Sequence, residues 1–146
     1  MNVTGLIIKH EGFRSHAYQC TAGKWTLGFG RNVDKLGGKG ISHDEGLMLL
    51  SNDIQEITQE VSKKLIWFQG LNEARKAAIV DMIYNLGFGG FGKFRQFQLA
   101  MARGDFQKAS QEMLQSLWAK QVGSRADELS QIISTGEWPE EGKVLE

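Results

Sequence analysis

One amphipathic run constrains this chain more than any other feature in it. Ser42-His43-Asp44-Glu45 has the form of a capping box, with Ser at the N-cap and Glu three residues on. Leu47, Leu50, Ile54, Ile57 and Val61 follow at spacings of 3, 4, 3 and 4, one apolar stripe on a helix from about His43 to Lys64. The chain changes character across it. Before it, Val3 to Lys9 reads as a short helix that stops near His10-Glu11-Gly12, where Gly12 can supply a left-handed cap. Ala17-Tyr18-Gln19 and Lys24 to Phe29, joined through Thr21-Ala22-Gly23, read as an antiparallel hairpin, and Asn32 to Gly40 as a loop.

After the long helix the pattern is helical throughout. Asn72 caps a helix to Leu86 that Gly87 closes, and Phe88 to Gly92 is a glycine-rich turn. Lys93 to Arg103 ends before Gly104, and Asp105 caps a helix through about Met113. Trp118 lies on the next short helix or its exit. Ser124 with Asp127 resembles a second capping box, opening a helix that ends at Thr135-Gly136, while Pro139 and the acidic residues after it are expected to fray. One proline against eighteen glycines fits a helix-rich body punctuated by glycine turns. The expected architecture is α+β: a single domain over residues 1–146. It has a small lobe of about 12–42, a connecting helix of about 43–64 and a helical lobe of about 65–138, to which the N-terminal helix 3–11 is joined.

Composition narrows the function classes. A hydrophobic fraction of 41% and a charged fraction of 23% exclude wholesale disorder. Cys20 stands alone, so no internal disulfide framework exists, which favours synthesis in a reducing cytosol. The start lacks a basic segment followed by a long apolar run, and no stretch approaches the roughly 20 apolar residues that span a bilayer. The formal net charge of +0 conceals asymmetry. Residues 63–125 carry ten Lys/Arg against four Asp/Glu, and residues 126–146 one Lys against six acids. A basic centre can draw a polyanion to a neutral molecule, although ordinary solvated helix faces are the commoner reason for such a stretch. Neither an arginine-rich helix nor a nucleic-acid motif is present, so nucleic-acid binding is not expected.

The chemistry is concentrated early. Eight residues separate Glu11 from Cys20, and five separate Cys20 from Thr26. A carboxyl at a helix end faces a hairpin that bears a second reactive group near its turn and a hydroxyl on its return strand. Gly28-Phe29-Gly30 suggests a strand that something approaches closely. A carboxyl placed against such a hairpin can act as a general acid that protonates a leaving group. A water-exposed Glu, with pKa about 4.3, is almost wholly ionised at pH 7, so an acid role asks for partial burial. Glu11 alternatively reads as a helix-end carboxylate binding an arginine, Cys20 as a small buried filler, and Thr26 as a β-former. His10, His16 and His43 form no metal-ligand set, Ser42-His43-Asp44 are adjacent where a triad must meet through folding, and Phe88 to Gly92 lacks a phosphate-loop context. No metal and no cofactor are expected.

The segment from His10 to Gly30 resembles the active site of the phage-type lysozymes, the T4-like muramidase family of bacteriophage endolysins, in which Glu, Asp and Thr stand at this spacing. Arg75 to Ile79, Asn85-Leu86-Gly87, Ser116-Leu117-Trp118, Gln121, Arg125-Ala126 and Thr135 to Trp138 resemble its later helices, so the resemblance covers nearly the whole chain. Cys20 departs from the family pattern by replacing the Asp. The resemblance implies a lysozyme-like fold and hydrolysis of β-1,4 bonds between N-acetylmuramic acid and N-acetylglucosamine in peptidoglycan. Glu11 would be the acid, in contact with Arg125, and Thr26 the hydroxyl that positions water. Cys20 would be a thiolate base or a covalent nucleophile; a thiol of pKa about 8.5 is only a few per cent ionised at pH 7 unless its site lowers that value. Gly30, Tyr84, Gln121 and Arg125 would contact substrate, Tyr84 alternatively being core. The resemblance also implies a monomer made in the host cytoplasm, without stable membrane insertion, that reaches the periplasmic wall through a holin lesion. A lytic transglycosylase using Glu11 alone and a non-catalytic wall-binding module are the alternatives.

Overall fold

The computed structural model describes residues 2–139, and the acidic tail after Pro139 lies outside them. Seven helices and three short strands are found among the described residues: α1 Val3–Glu11, β1 Arg14–Gln19, β2 Trp25–Gly28, β3 Arg31–Asn32, α2 His43–Lys64, α3 Glu73–Phe91, α4 Arg95–Ala102, α5 Phe106–Leu114, α6 Leu117–Val122 and α7 Ser124–Thr135, with a 3-10 turn at Ile66–Phe68. The chain forms two compact units, Met1–Leu50 and Ser51–Glu146, with the boundary inside α2. α1 falls in the first unit, whereas the sequence reading joined it to the helical lobe.

In the first unit, Asn2 caps α1 by accepting the Gly5 N–H at 2.9 Å, and the helix runs two residues past Lys9 to Glu11. Gly12 then reverses the chain at φ +68° while its N–H still bonds Ile8. The three strands form an antiparallel sheet in the order β1-β2-β3, with β2 central. Tyr18 pairs with Thr26 and Gln19 with Trp25, while the register shifts between Arg14 and Tyr18. The sequence reading placed Asn32 in a loop. It instead pairs with Thr26, and Arg31 with Leu27, as a third strand. The capping box at Ser42 closes reciprocally, Glu45 N–H on Ser42 Oγ at 3.1 Å and Ser42 N–H on Glu45 Oε1 at 2.9 Å.

The second unit holds the core. Phe68, Ile79, Met82, Phe97, Met113 and Ile133 are each at most 1% exposed, and side chains of this size each contribute about 1.5–3 kcal/mol when fully buried. Phe94, Phe97, Phe91 and Trp118 meet edge to face around it. The α2 stripe enters this core only at its C-terminal end: Val61 is fully buried and Ile57 packs on the core, but Leu47 is 50% exposed. Asn72 caps α3 through the Arg75 N–H, and Asp105 caps α5 through that of Lys108. α3 breaks at Gly87 (φ +72°, ψ 165°), and Phe88 to Phe91 add a further helical turn. At α7 the expected capping box fails. Gly123 takes the N-cap at φ +62° and no side chain caps the helix.

Candidate active site

Glu11 is the last residue of α1, and the reversal at Gly12 turns the chain straight into β1. The turn between β2 and β3 contains Gly30 at φ +77°. The Glu11 carboxyl lies directly over it: a Cβ built on Gly30 would sit 2.5 Å from Glu11 Oε2 and 2.6 Å from Cδ. Only a glycine leaves room for the carboxyl in this place. Glu11 is exposed, in contrast to the partial burial that sequence reasoning asked of an acid.

Cys20 and Thr26 meet at the other end of the hairpin. The Cys20 N–H bonds the Lys24 carbonyl at 2.9 Å and its own carbonyl accepts from Gly23 at 2.8 Å, closing a tight loop around Thr21-Ala22-Gly23. Gly23 permits this at φ +75°. Thr26, on the central strand, is 4% exposed, and its Oγ1 donates to the Lys24 carbonyl at 2.9 Å. The loop amide of Lys24, then that of Ala22, pulls the Cys20 thiol below its ordinary pKa, partial burial opposes them, and the Thr26 hydroxyl adds to the lowering. The Lys24 ammonium donates to the Leu36 carbonyl at 3.0 Å.

Two acids, Asp34 and Glu45, organise the loop beside the hairpin. Asp34 accepts the Trp25 and Leu36 N–H groups at 3.0 and 2.9 Å, which hold its carboxyl below the usual carboxylate range. Glu45 pairs both oxygens with Arg31, at 3.0 and 2.7 Å, and Arg31 also reaches the Gly40 carbonyl. Arg31 first, and Ser42 after it, lower Glu45 to about 2. Its fit to a capping box was legible; its arginine, fourteen residues earlier, was not.

The other expected substrate contacts belong to the second unit. Tyr84 is half exposed on α3 and lines a depression of about 450 Å³ with Asp53, Glu56, Ile57, Gly87 and Phe88. Gln121 lines a larger groove of about 630 Å³ with Lys93, Phe94, Arg95, Glu112 and Trp118. The Trp118 indole donates to Asn85 Oδ1 at 2.7 Å. Arg125 was expected to contact Glu11. Within its own unit Arg125 pairs with Asp81 on α3, a residue sequence reasoning did not single out. Among the described residues no group of three or more His, Cys, Asp and Glu could hold a metal, and no helix is long and apolar enough to cross a membrane.

A helix ending in a carboxyl against a small antiparallel sheet, in a mostly helical chain, is the α+β architecture of lysozyme-like proteins. Comparison with known sequences makes this more specific. A family model described as phage lysozyme matches residues 8–131. The chain is 27% identical over 162 residues to the pre-baseplate central spike protein Gp5 of Enterobacteria phage T4, covering 93% of this chain and 28% of that protein's length. It is 31% identical over 120 residues to an endolysin of Acyrthosiphon pisum secondary endosymbiont phage 1, covering 82% of this chain and 80% of the relative. A probable T4-type lysozyme 1 of Dictyostelium discoideum is 24% identical over 152 residues, covering 86% and 89%. The chain belongs to the phage lysozyme family.

Proposed function

We propose that this protein is a phage endolysin that lyses its host by hydrolysing the β-1,4 bonds between N-acetylmuramic acid and N-acetylglucosamine in peptidoglycan. Family membership and the endolysin relative support a glycoside hydrolase acting on the cell wall. The roles of individual residues rest on one observation: the Glu11 carboxyl is seated on Gly30, in the turn that leaves the same strand on which Thr26 sits beside Cys20.

Glu11, protonated, gives its hydrogen to the bridging oxygen as the bond to the muramyl anomeric carbon breaks and positive charge develops there. A water held by the Thr26 hydroxyl attacks that carbon from the opposite face. The Cys20 thiolate takes the water's proton, and solvent restores the proton on Glu11 and removes the one on Cys20. We favour this base role over direct attack by sulfur, because a soft thiolate suits the hard anomeric centre poorly and the resulting thioglycoside would hydrolyse slowly. Gly30 gives the carboxyl its seat. Tyr84, Gln121 and Arg125 bind the glycan. The protein works as a monomer, made in the host cytoplasm and released to the wall through a holin lesion.

Clearing of isolated cell walls tests the assignment. Glu11→Gln is expected to abolish clearing with the circular dichroism spectrum unchanged, and Cys20→Ala to remove most of it. Parental clearing by Cys20→Ala would take the base role away from that residue.

A further inference from the structure

Beside the hairpin stands a carboxylate to which the mechanism gives no part. Oδ1 of Asp34 accepts the Leu36 N–H at 2.9 Å, an Asx turn that shapes its own loop. Oδ2 does something the loop does not need: it reaches back nine residues to accept the Trp25 N–H at 3.0 Å. That N–H belongs to the peptide group joining Lys24 to Trp25, and the oxygen of the same planar group is the Lys24 carbonyl. The Lys24 carbonyl accepts the Cys20 N–H at 2.9 Å, which closes the turn of the hairpin, and the Thr26 hydroxyl rests on the same oxygen. One rigid unit therefore carries an anion at its donor end and Cys20 at its acceptor end. Lys24 is tied through its side chain as well, because Nζ donates to the carbonyl of Leu36, whose N–H is the other one that Asp34 holds. The Trp25 amide, and after it that of Leu36, keep Asp34 below the usual carboxylate range, so it is an anion at neutral pH.

We propose that Asp34 is a positioning residue for the hydrolysis: by fixing the Lys24–Trp25 peptide it holds the Lys24 backbone against Cys20. Its part in the reaction rests on the reading of Cys20 as the base. The direction of its effect separates this role from plain electrostatics. The Lys24 amide is foremost in lowering the Cys20 thiol, so a Lys24 left loose without Asp34 lets that thiol climb toward its ordinary value of about 8.5. An anion acting only through space would hold the thiol up, and its removal would let the thiol fall.

Cys20 is the chain's single cysteine, so alkylation by iodoacetamide, followed against pH in the intact protein, reads the ionisation of this thiol alone. Asp34→Ala is expected to raise the midpoint of that curve by about one pH unit, which is about tenfold less thiolate at any pH below the midpoint. Asp34→Asn keeps an oxygen for the Trp25 N–H but not the charge, and should raise it by about half a pH unit. It decides the matter should Asp34→Ala not fold. Glu45→Gln, which removes the carboxylate paired with Arg31, should leave the midpoint in place. The rising limb of wall clearing against pH should move with the thiol in both Asp34 variants. A midpoint that stays or falls in folded Asp34→Asn overturns the inference. So does a loss of clearing equal at every pH with the thiol unmoved, the result that a merely structural acid would give. Failure of the catalytic reading looks different: the alkylation midpoint rises, as positioning by Asp34 requires, while the limb of clearing stays at its parental pH.

Discussion

Gly30→Ala separates position from stability at this site. The added Cβ would lie 2.5 Å from Glu11 Oε2, where ordinary contact begins at 3.4 Å, so the carboxyl must retreat by about 0.9 Å. It is the end of a flexible side chain and can do so at small cost to folding. What the fold does lose comes from the backbone, since a residue with a Cβ held at φ +77° costs about 1–2 kcal/mol. For catalysis a displacement near 1 Å is worth roughly 10²-fold in rate. Gly28→Ala is the matched control: its φ of +67° imposes similar strain, but nothing lies within 4 Å of the added Cβ. The expectation is that both variants melt a few degrees below the parent, while wall clearing falls about 100-fold in Gly30→Ala and stays within about threefold in Gly28→Ala. Clearing by folded Gly30→Ala at near the parental rate, or equal losses in the two variants, would refute the claim that the seat of Glu11 matters.

Two pH-dependent outcomes follow from the same unit. A base must be ionised, so clearing should rise with pH as Cys20 loses its proton, and because the Lys24 amide above all lowers this thiol, the midpoint of the rise should lie below the ordinary thiol value of about 8.5. Cys20→Asp should move that limb into the carboxylate range with substantial activity kept, and Cys20→Ser should lose most activity; a limb unchanged in Cys20→Ser excludes Cys20 as its source. Glu45 sits at about 2 when folded against an ordinary 4.5, a depressed carboxylate, so its stabilising effect is whole above about 4.5 and is lost as pH falls toward 2. Melting temperatures between pH 5 and 2 should fall less steeply in Glu45→Gln than in the parent, and parallel curves would show that the Arg31 pair does not contribute.

Features that a few neighbouring residues determine were legible in the sequence. The α2 limits follow from Ser42 and Glu45 at one end and the stripe to Val61, and the caps at Asn72 and Asp105 follow from side chains that bond amides three residues away. Features that depend on distant partners were not legible. Arg31–Asn32 is a strand only because β2 lies beside it, and nothing in its glycine-flanked composition announces that. Periodicity marked the α2 stripe but not which part of it a core would cover. Ser124 satisfied a capping pattern, yet Gly123 could reach the positive φ that enters α7 and took the place. The spacing of Glu11, Cys20 and Thr26 was visible from the start. The seat on Gly30 and the Asp81–Arg125 pair, 44 residues apart, required the fold.

In the proposed mechanism a thiol takes a carboxylate's part, and the hairpin supports it with neutral donors. Thr26 has one hydroxyl proton, which it gives to the Lys24 carbonyl at 2.9 Å. Once the thiol ionises, the better use of that proton is on sulfur. Turning it away would strand a carbonyl in many settings, but the Lys24 oxygen also accepts the Cys20 N–H at 2.9 Å and stays satisfied. In the proposed mechanism Thr26 would turn from that carbonyl to the thiolate, beside the Lys24 and Ala22 amides that lower the thiol. A carboxylate is ionised at neutral pH without help. A thiol needs this support from neutral donors, and Thr26 supplies part of it from a nearly buried position on the central strand, where its aim is fixed by pairing with Tyr18 on one side and Asn32 on the other.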